Sequence, residues 1–172
     1  MYKKKVYGII SFALLFLILI LVIPYKHALV FTYQNTDRVI AYIPKDMRNE
    51  SFQIQFTHTI HLSDVVETYK VDAANQIIQT EFMYEDFNVG MPSNATGKEK
   101  FVEKNGKYYI TNMERIFPYL DIRIARTIPN HNLLYNGNTY SLLSYFEPGT
   151  WTRVSSKKMN VWQQWKGVNI LE

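Results

Sequence analysis

The chain predicts an all-β fold, an antiparallel sandwich or partly open barrel, preceded by one N-terminal transmembrane helix. Three features of its 172 residues point there. Residues 6–23 carry no charge and are mostly Leu, Ile, Val and Phe. Beyond Pro24 the apolar residues fall into short runs of period two, the pattern of strands with one buried face. Two Asn-Gly pairs, at 105–106 and 136–137, sit between such runs, where two residues of positive φ close a tight hairpin.

The N-terminal segment "MYKKKVYGIISFALLFLILILVIPYK" opens with Lys3, Lys4 and Lys5. Its uncharged stretch spans roughly 27 Å as a helix, close to the hydrocarbon thickness of a bilayer. A cleaved signal peptide has a core of about 7–15 residues and a small-x-small site; "LVIPYKHAL" offers no such site. A soluble helix would keep a polar face. The expected organisation is a signal anchor over residues 1–24 and an extracytoplasmic β-rich domain over 25–172, with the three lysines left in the cytoplasm.

The strands follow in order. "HALVFTY" and "RVIAYIP" are parted by "QNTD". "SFQIQFTHT" alternates, with Phe52, Ile54 and Phe56 on one face; "VVETYKV" alternates with Val65, Tyr69 and Val71. "NQIIQTEF" extends the meander. "FVEKNGKYYIT" and "LLYNGNTYSLL" are hairpins, "LDIRIART" alternates again, and "EPGTWTRV" is a turn leading into a strand. "TNMERIFPY" suggests a helical turn or two before Pro118, and "NVWQQWKG" fits a short helix or a final strand.

Composition agrees with sheet. There are 13 Tyr, 10 Phe and 3 Trp, residues that suit a pleated, half-buried surface. The formal charge is +4, but without Lys3, Lys4 and Lys5 the balance is 16 basic against 15 acidic residues. Such a domain has no electrostatic footprint for nucleic acid. The absence of cysteine excludes disulfides, thiolate metal sites and a cysteine nucleophile.

Within "FTHTIHLSDVVETY" two polar residues, His58 and Glu67, share the parity of the apolar face. If Ile60 faces Val65 across a four-residue loop, opposed positions sum to 125, and His58 falls opposite Glu67. Opposed residues have Cβ atoms about 4.5–5.5 Å apart, within hydrogen-bonding reach. Burying either alone costs about 1–3 kcal/mol or more, so the pair must satisfy each other, a ligand or water. The readings are a pair that pins register, a ligand or partner site, and a catalytic or metal role. One His and one Glu are too few for a sound metal site. No H-E-x-x-H, G-x-S-x-G or P-loop order is present, so neither a metal nor a catalytic residue is assigned. Arg123 and Arg126 suit a carboxylate clamp or, more simply, a solvated strand face. Trp151, Trp162 and Trp165 suit a groove, the headgroup level of a membrane, or core packing.

Taken together, "FTHTIHLSDVVETYKV", "FNVGMP", "NHNLL" and "SLLSYFEPGTWTRV" resemble a bacterial family of unknown function. Its members are small membrane-anchored or exported proteins associated with TAXI-type TRAP transporters, which pair an extracytoplasmic solute receptor with a permease. The resemblance covers roughly residues 45–155. The family pattern falls on Phe56, His58, Thr59, Glu67, Gly90 and Pro92, with Thr59 in place of the usual Ser and Asn88 where a turn glycine is often found.

What the resemblance implies is a non-enzymatic accessory of the transporter. It is anchored by a single pass and meets the TRAP permease or the TAXI receptor outside the membrane. His58, Thr59 and Glu67 would form its ligand or partner site, with Phe87, Gly90 and Pro92 shaping the rim. No cofactor is implied. The alternatives are a stand-alone module for a small molecule or ion, and an extracytoplasmic hydrolase with His58 as base and Glu67 orienting it.

Overall fold

The computed structural model describes residues 2–58, 62–85, 91–126 and 131–172. Helix α1 (Tyr2–Val22) comes first. Its apolar stretch is long enough to cross a membrane, and none of the described residues from Lys5 to Val22 is buried against the rest of the protein.

Thirteen strands follow among the described residues. They are β1 (Lys26–Tyr33), β2 (Val39–Ile43), β3 (Ser51–Thr57), β4 (Asp64–Val71), β5 (Ile77–Tyr84), β6 (Lys100–Lys104), β7 (Lys107–Thr111), β8 (Arg115–Phe117), β9 (Leu120–Arg123), β10 (Asn132–Tyr135), β11 (Asn138–Ser141), β12 (Trp151–Met159) and β13 (Val168–Asn169). Helix α2 (Val161–Lys166) lies between β12 and β13.

The strands form two sheets. One has five strands in the order β13-β2-β1-β12-β9; the other has eight, in the order β11-β10-β3-β4-β5-β7-β6, with β8 also on β5. β13 joins β2 in parallel and the other strand pairings are antiparallel. Neither sheet closes into a barrel among the described residues. One apolar cluster joins Leu29, Phe31, Ile43 and Val154 of the first sheet to Phe52, Ile54, Val71 and Leu133 of the second. The fold is therefore a sandwich with its core between the sheets.

Local chemistry sets the hairpins. Asn105 and Gly106 have φ of 54° and 72°, and Asn136 and Gly137 have 50° and 76°. Each pair closes a two-residue loop, Lys104 facing Lys107 and Tyr135 facing Asn138. The helical turn expected within 111–119 is not formed. Arg115, Ile116 and Phe117 instead pair with Gln79, Ile78 and Ile77, since β5 offers ladder hydrogen bonds there that β7, which ends at Thr111, leaves open. "NVWQQWKG" resolves as helix because Asn160 and Gln163 form a capping box.

The β3–β4 register differs from expectation. Opposed positions sum to 121, with Phe52 facing Tyr69, Ile54 facing Glu67 and Phe56 facing Val65. The expected register would place Phe52 opposite Ala73. Residues 72–76 instead form the β4–β5 turn, where the Asp72 carboxylate accepts the N–H groups of Ala74 and Gln76, each at 2.8 Å. On the outer face the observed register brings Gln53 to Thr68, directly opposite (3.1 Å), and Gln55 to Asp64, diagonally across (2.9 Å). A slip of four residues leaves every side chain on its expected face.

The chain has no native cysteine, so the register is testable by cross-linking. Gln53→Cys with Thr68→Cys should oxidise to a disulfide readily. Thr57→Cys with Thr68→Cys, opposed in the alternative register, should not, because Cα atoms beyond about 7 Å cannot be bridged. Gel mobility with and without reductant reads both variants.

Candidate functional site

Glu67 lies on the core face of β4, between Ile54 of β3 and Phe82 of β5. A bulge gives this neighbourhood its shape. The β4–β5 register shifts between Thr68 and Tyr69, so Tyr69 faces Gln79 while Glu67 faces Phe82. The extra residue in β5 breaks the period of two. Gln79 and Phe82, three apart, therefore both face inward beside the same carboxyl.

The Tyr69 hydroxyl donates to Glu67 Oε2 at 2.8 Å, and the Gln79 amide approaches Oε1 at 3.5 Å. Desolvation raises the Glu67 pKa above its ordinary value, and the Tyr69 hydrogen bond only partly offsets that. The Tyr69 phenol is pushed strongly upward by its own burial and by the adjacent carboxylate, and so remains a donor. Glu67 opens on a cleft of about 480 Å³ lined also by Gln79, Phe82, Met91, Pro92, Met113 and Arg115. Two anchors hold this wall. The Tyr84 hydroxyl donates to the Pro92 carbonyl at 2.6 Å. Arg115 donates to Glu99 at 3.0 and 3.3 Å, and Glu99 also accepts from the Thr96 N–H at 3.0 Å.

The expected site residues divide accordingly. Glu67 and Pro92 share the cleft. His58 does not face Glu67. Its N–H donates to the Ser63 carbonyl at 2.8 Å and its carbonyl accepts from Leu62 at 2.9 Å, at the loop end of the hairpin. Four residues separate it from Ile54, the actual partner of Glu67, or about 13 Å along the strand. The His58–Glu67 pair, and the base and orienting group it would supply to a hydrolase, are not assembled across β3 and β4. Thr59, Phe87 and Gly90 lie outside the described residues.

His131, considered from the sequence only as a possible metal ligand and given no role, lies immediately before β10, beside β3. The His131 ring stacks on Phe56 with centroids 5.4 Å apart, and burial lowers its pKa. Its Nδ1 is buried without a hydrogen-bond partner among the described residues. Gln79 was missed. A glutamine inside the apolar run "IIQTEF" is the signal, but the bulge hides which face it takes. Arg123 is exposed on β9, and the Arg126 side chain packs against Gly149, where an added Cβ would lie 2.5 Å from Nε.

A lipid-length apolar helix joined to a β-sandwich with a carboxyl-bearing cleft defines a class: an extended β-domain with a candidate single-pass anchor. The chain belongs to the DUF1850 family, a domain of unknown function, whose match covers residues 52–142. The matched part runs from β3 to the end of β11 and includes Glu67 and all the residues that line its cleft. Curated proteins and solved structures provide no match to the chain.

A carboxyl whose folded pKa is raised stabilises the fold most below the unfolded value, near 4.5, and that contribution is lost as pH rises through the folded pKa. Glu67→Gln stays neutral and keeps an acceptor for Tyr69. Its melting temperature should rise relative to wild type between about pH 4 and about pH 7. Thermal melts of the full chain in detergent check this; a gap that does not change with pH would mean that burial does not perturb the carboxyl.

Proposed function

We propose that the protein is a non-enzymatic, membrane-anchored accessory of a TAXI-type TRAP transporter, engaging a partner or small ligand through the Glu67 cleft. One observation carries the binding role. A carboxyl whose ionisation is opposed by burial is retained at the wall of a cleft, with one short hydrogen bond and one long one. Residues that weaken a fold locally while facing a cavity are those expected at working sites. The transporter enters through the family resemblance of "FTHTIHLSDVVETYKV" and "FNVGMP".

The lining argues for the chemistry of the occupant. Phe82, Met91, Pro92 and Met113 supply an apolar wall, with Glu67, Gln79 and Arg115 as the polar groups, the Arg115 guanidinium being engaged by Glu99. A partly apolar group carrying an amine, guanidinium or hydroxyl fits that set. A cationic occupant would favour ionised Glu67 and relieve the burial penalty. Either a free small molecule or a side chain of the permease or receptor meets this description. Lys3, Lys4 and Lys5 favour a cytoplasmic N-terminus and an extracytoplasmic domain.

Co-purification tests the reading. The full chain in mild detergent should retain the TRAP permease or the TAXI receptor. Glu67→Ala should lower recovery about tenfold, the loss of a buried polar contact at an interface, while Glu103→Ala on exposed β6 should leave it unchanged. Absence of association in the wild type would remove the transporter from the account. Undiminished recovery with Glu67→Ala would remove the cleft.

A further inference from the structure

Helix α2 is amphipathic in the reverse sense for a helix packed on a protein. Its half-buried residues include Gln163 and Gln164, whereas Trp162 and Trp165 are 47% and 74% exposed. None of its residues is fully buried. Of the readings the sequence left open for these two tryptophans, core packing is therefore not met. Their rings lie 5.3 Å apart on the outside of the helix, and the Lys166 ammonium sits 4.4 Å from the Trp162 ring centre.

The polar side is used for attachment. Asn160 caps α2 with its side-chain oxygen, which accepts from the Gln163 N–H at 2.8 Å. Its amide NH₂ donates to the Val22 carbonyl at 3.0 Å, one of the orphan acceptors in the last turn of α1. Gln164 donates to the Tyr25 hydroxyl at 3.3 Å, and the Tyr42 hydroxyl donates to the Gln164 carbonyl at 3.3 Å. Gly167 ends the helix against the outer face of the five-stranded sheet: an added Cβ would come within 2.9 Å of Val39 and 3.0 Å of Tyr42. With Ala28, Val30 and Met159, those two residues form a second apolar cluster on that face. α2 is thus fixed both to the sheet and to the end of α1.

We infer that α2 is an interfacial helix, seated in the headgroup layer of the lipid bilayer where α1 leaves it. The occupant follows from continuity. α1 is apolar throughout its membrane-length stretch and unburied by protein, so its natural surroundings are lipid. Its last turn then lies at the membrane surface, and Asn160, hydrogen-bonded to it, brings α2 to the same depth. Tryptophan is enriched at that depth. Ile23 and Tyr25 are exposed beside it, and Lys26, Lys158 and Lys166 are exposed nearby, suited to phosphate headgroups. Two fixed points, α1 and α2, hold the domain at one tilt, with the Lys26–Met159 end of the five-stranded sheet toward the bilayer and the Trp151 end of β12 away from it. The inference depends on α1 being inserted and is independent of any transporter.

Trp151 is an internal control. It starts β12, eight residues from Met159 at the α1 end, or roughly 27 Å away along the strand. The test uses the full chain in phosphatidylcholine–phosphatidylglycerol vesicles, with lipids brominated near the headgroup or aqueous iodide as quencher. One variant retains only Trp165 (Trp151→Phe with Trp162→Phe) and the other only Trp151 (Trp162→Phe with Trp165→Phe). Circular dichroism shows whether each keeps the wild-type fold. Bromolipid should quench the first at least about twofold more than the second, with iodide showing the reverse order. Equal iodide quenching with no bromolipid effect on Trp165 would overturn the inference, as would failure of the protein to float with the vesicles. Neither readout involves the cleft, so the outcome is separate from that of the co-purification.

Discussion

The pairing of β3 with β4 is the constraint from which the site follows. Its register puts Phe52 on Tyr69, with ring centroids 5.5 Å apart, and Ile54 on Glu67. The stacked Tyr69 ring is held where its hydroxyl reaches the carboxyl. On the other side of β4, the bulge brings Gln79 and Phe82 to the same place. Had the hairpin closed two residues later, Glu67 would have faced His58 and the apolar wall of the cleft would have met a different strand position. A single carboxyl on an apolar face is tolerable here because its neighbours are one donor, one amide and an opening to solvent, rather than a closed core.

Much of the architecture was legible from local chemistry. The two Asn-Gly turns require positive φ at both residues, and few alternatives compete with them. Alternation placed Phe52, Ile54, Val65, Glu67 and Tyr69 on one face correctly, because parity survives any even slip in register. That same property is why the register itself was not legible. Apolar matching cannot distinguish opposed sums of 121 and 125, and the choice was made by the Asp72 turn and by the Gln53–Thr68 and Gln55–Asp64 contacts.

The remaining differences have similar causes. β8 forms because β5 has an unpaired stretch, a tertiary fact that the residues of "ERIFP" do not carry alone. The bulge in β5 has no glycine or proline to announce it. The cap of α2 was present in the sequence as Asn160 and Gln163, three apart, but the two tryptophans left a groove, the headgroup level and core packing all open. Their exposure makes sense only when the end of α1 is considered together with the helix that binds it. The carboxyl-bearing sheet and the aromatic helix then belong to opposite sides of one sandwich, one suited to a partner and the other to lipid.

The central claim is that Glu67 is held where its charged form is disfavoured, ready to be rewarded by an occupant of the cleft. The direct measurement is the titration of the Glu67 side-chain carboxyl by carbon NMR in the full chain, assigned by its loss in Glu67→Gln. The account predicts a midpoint above the ordinary glutamate value of about 4.5, moving down when a cationic occupant binds. A midpoint at or below that value in the unoccupied protein would contradict it.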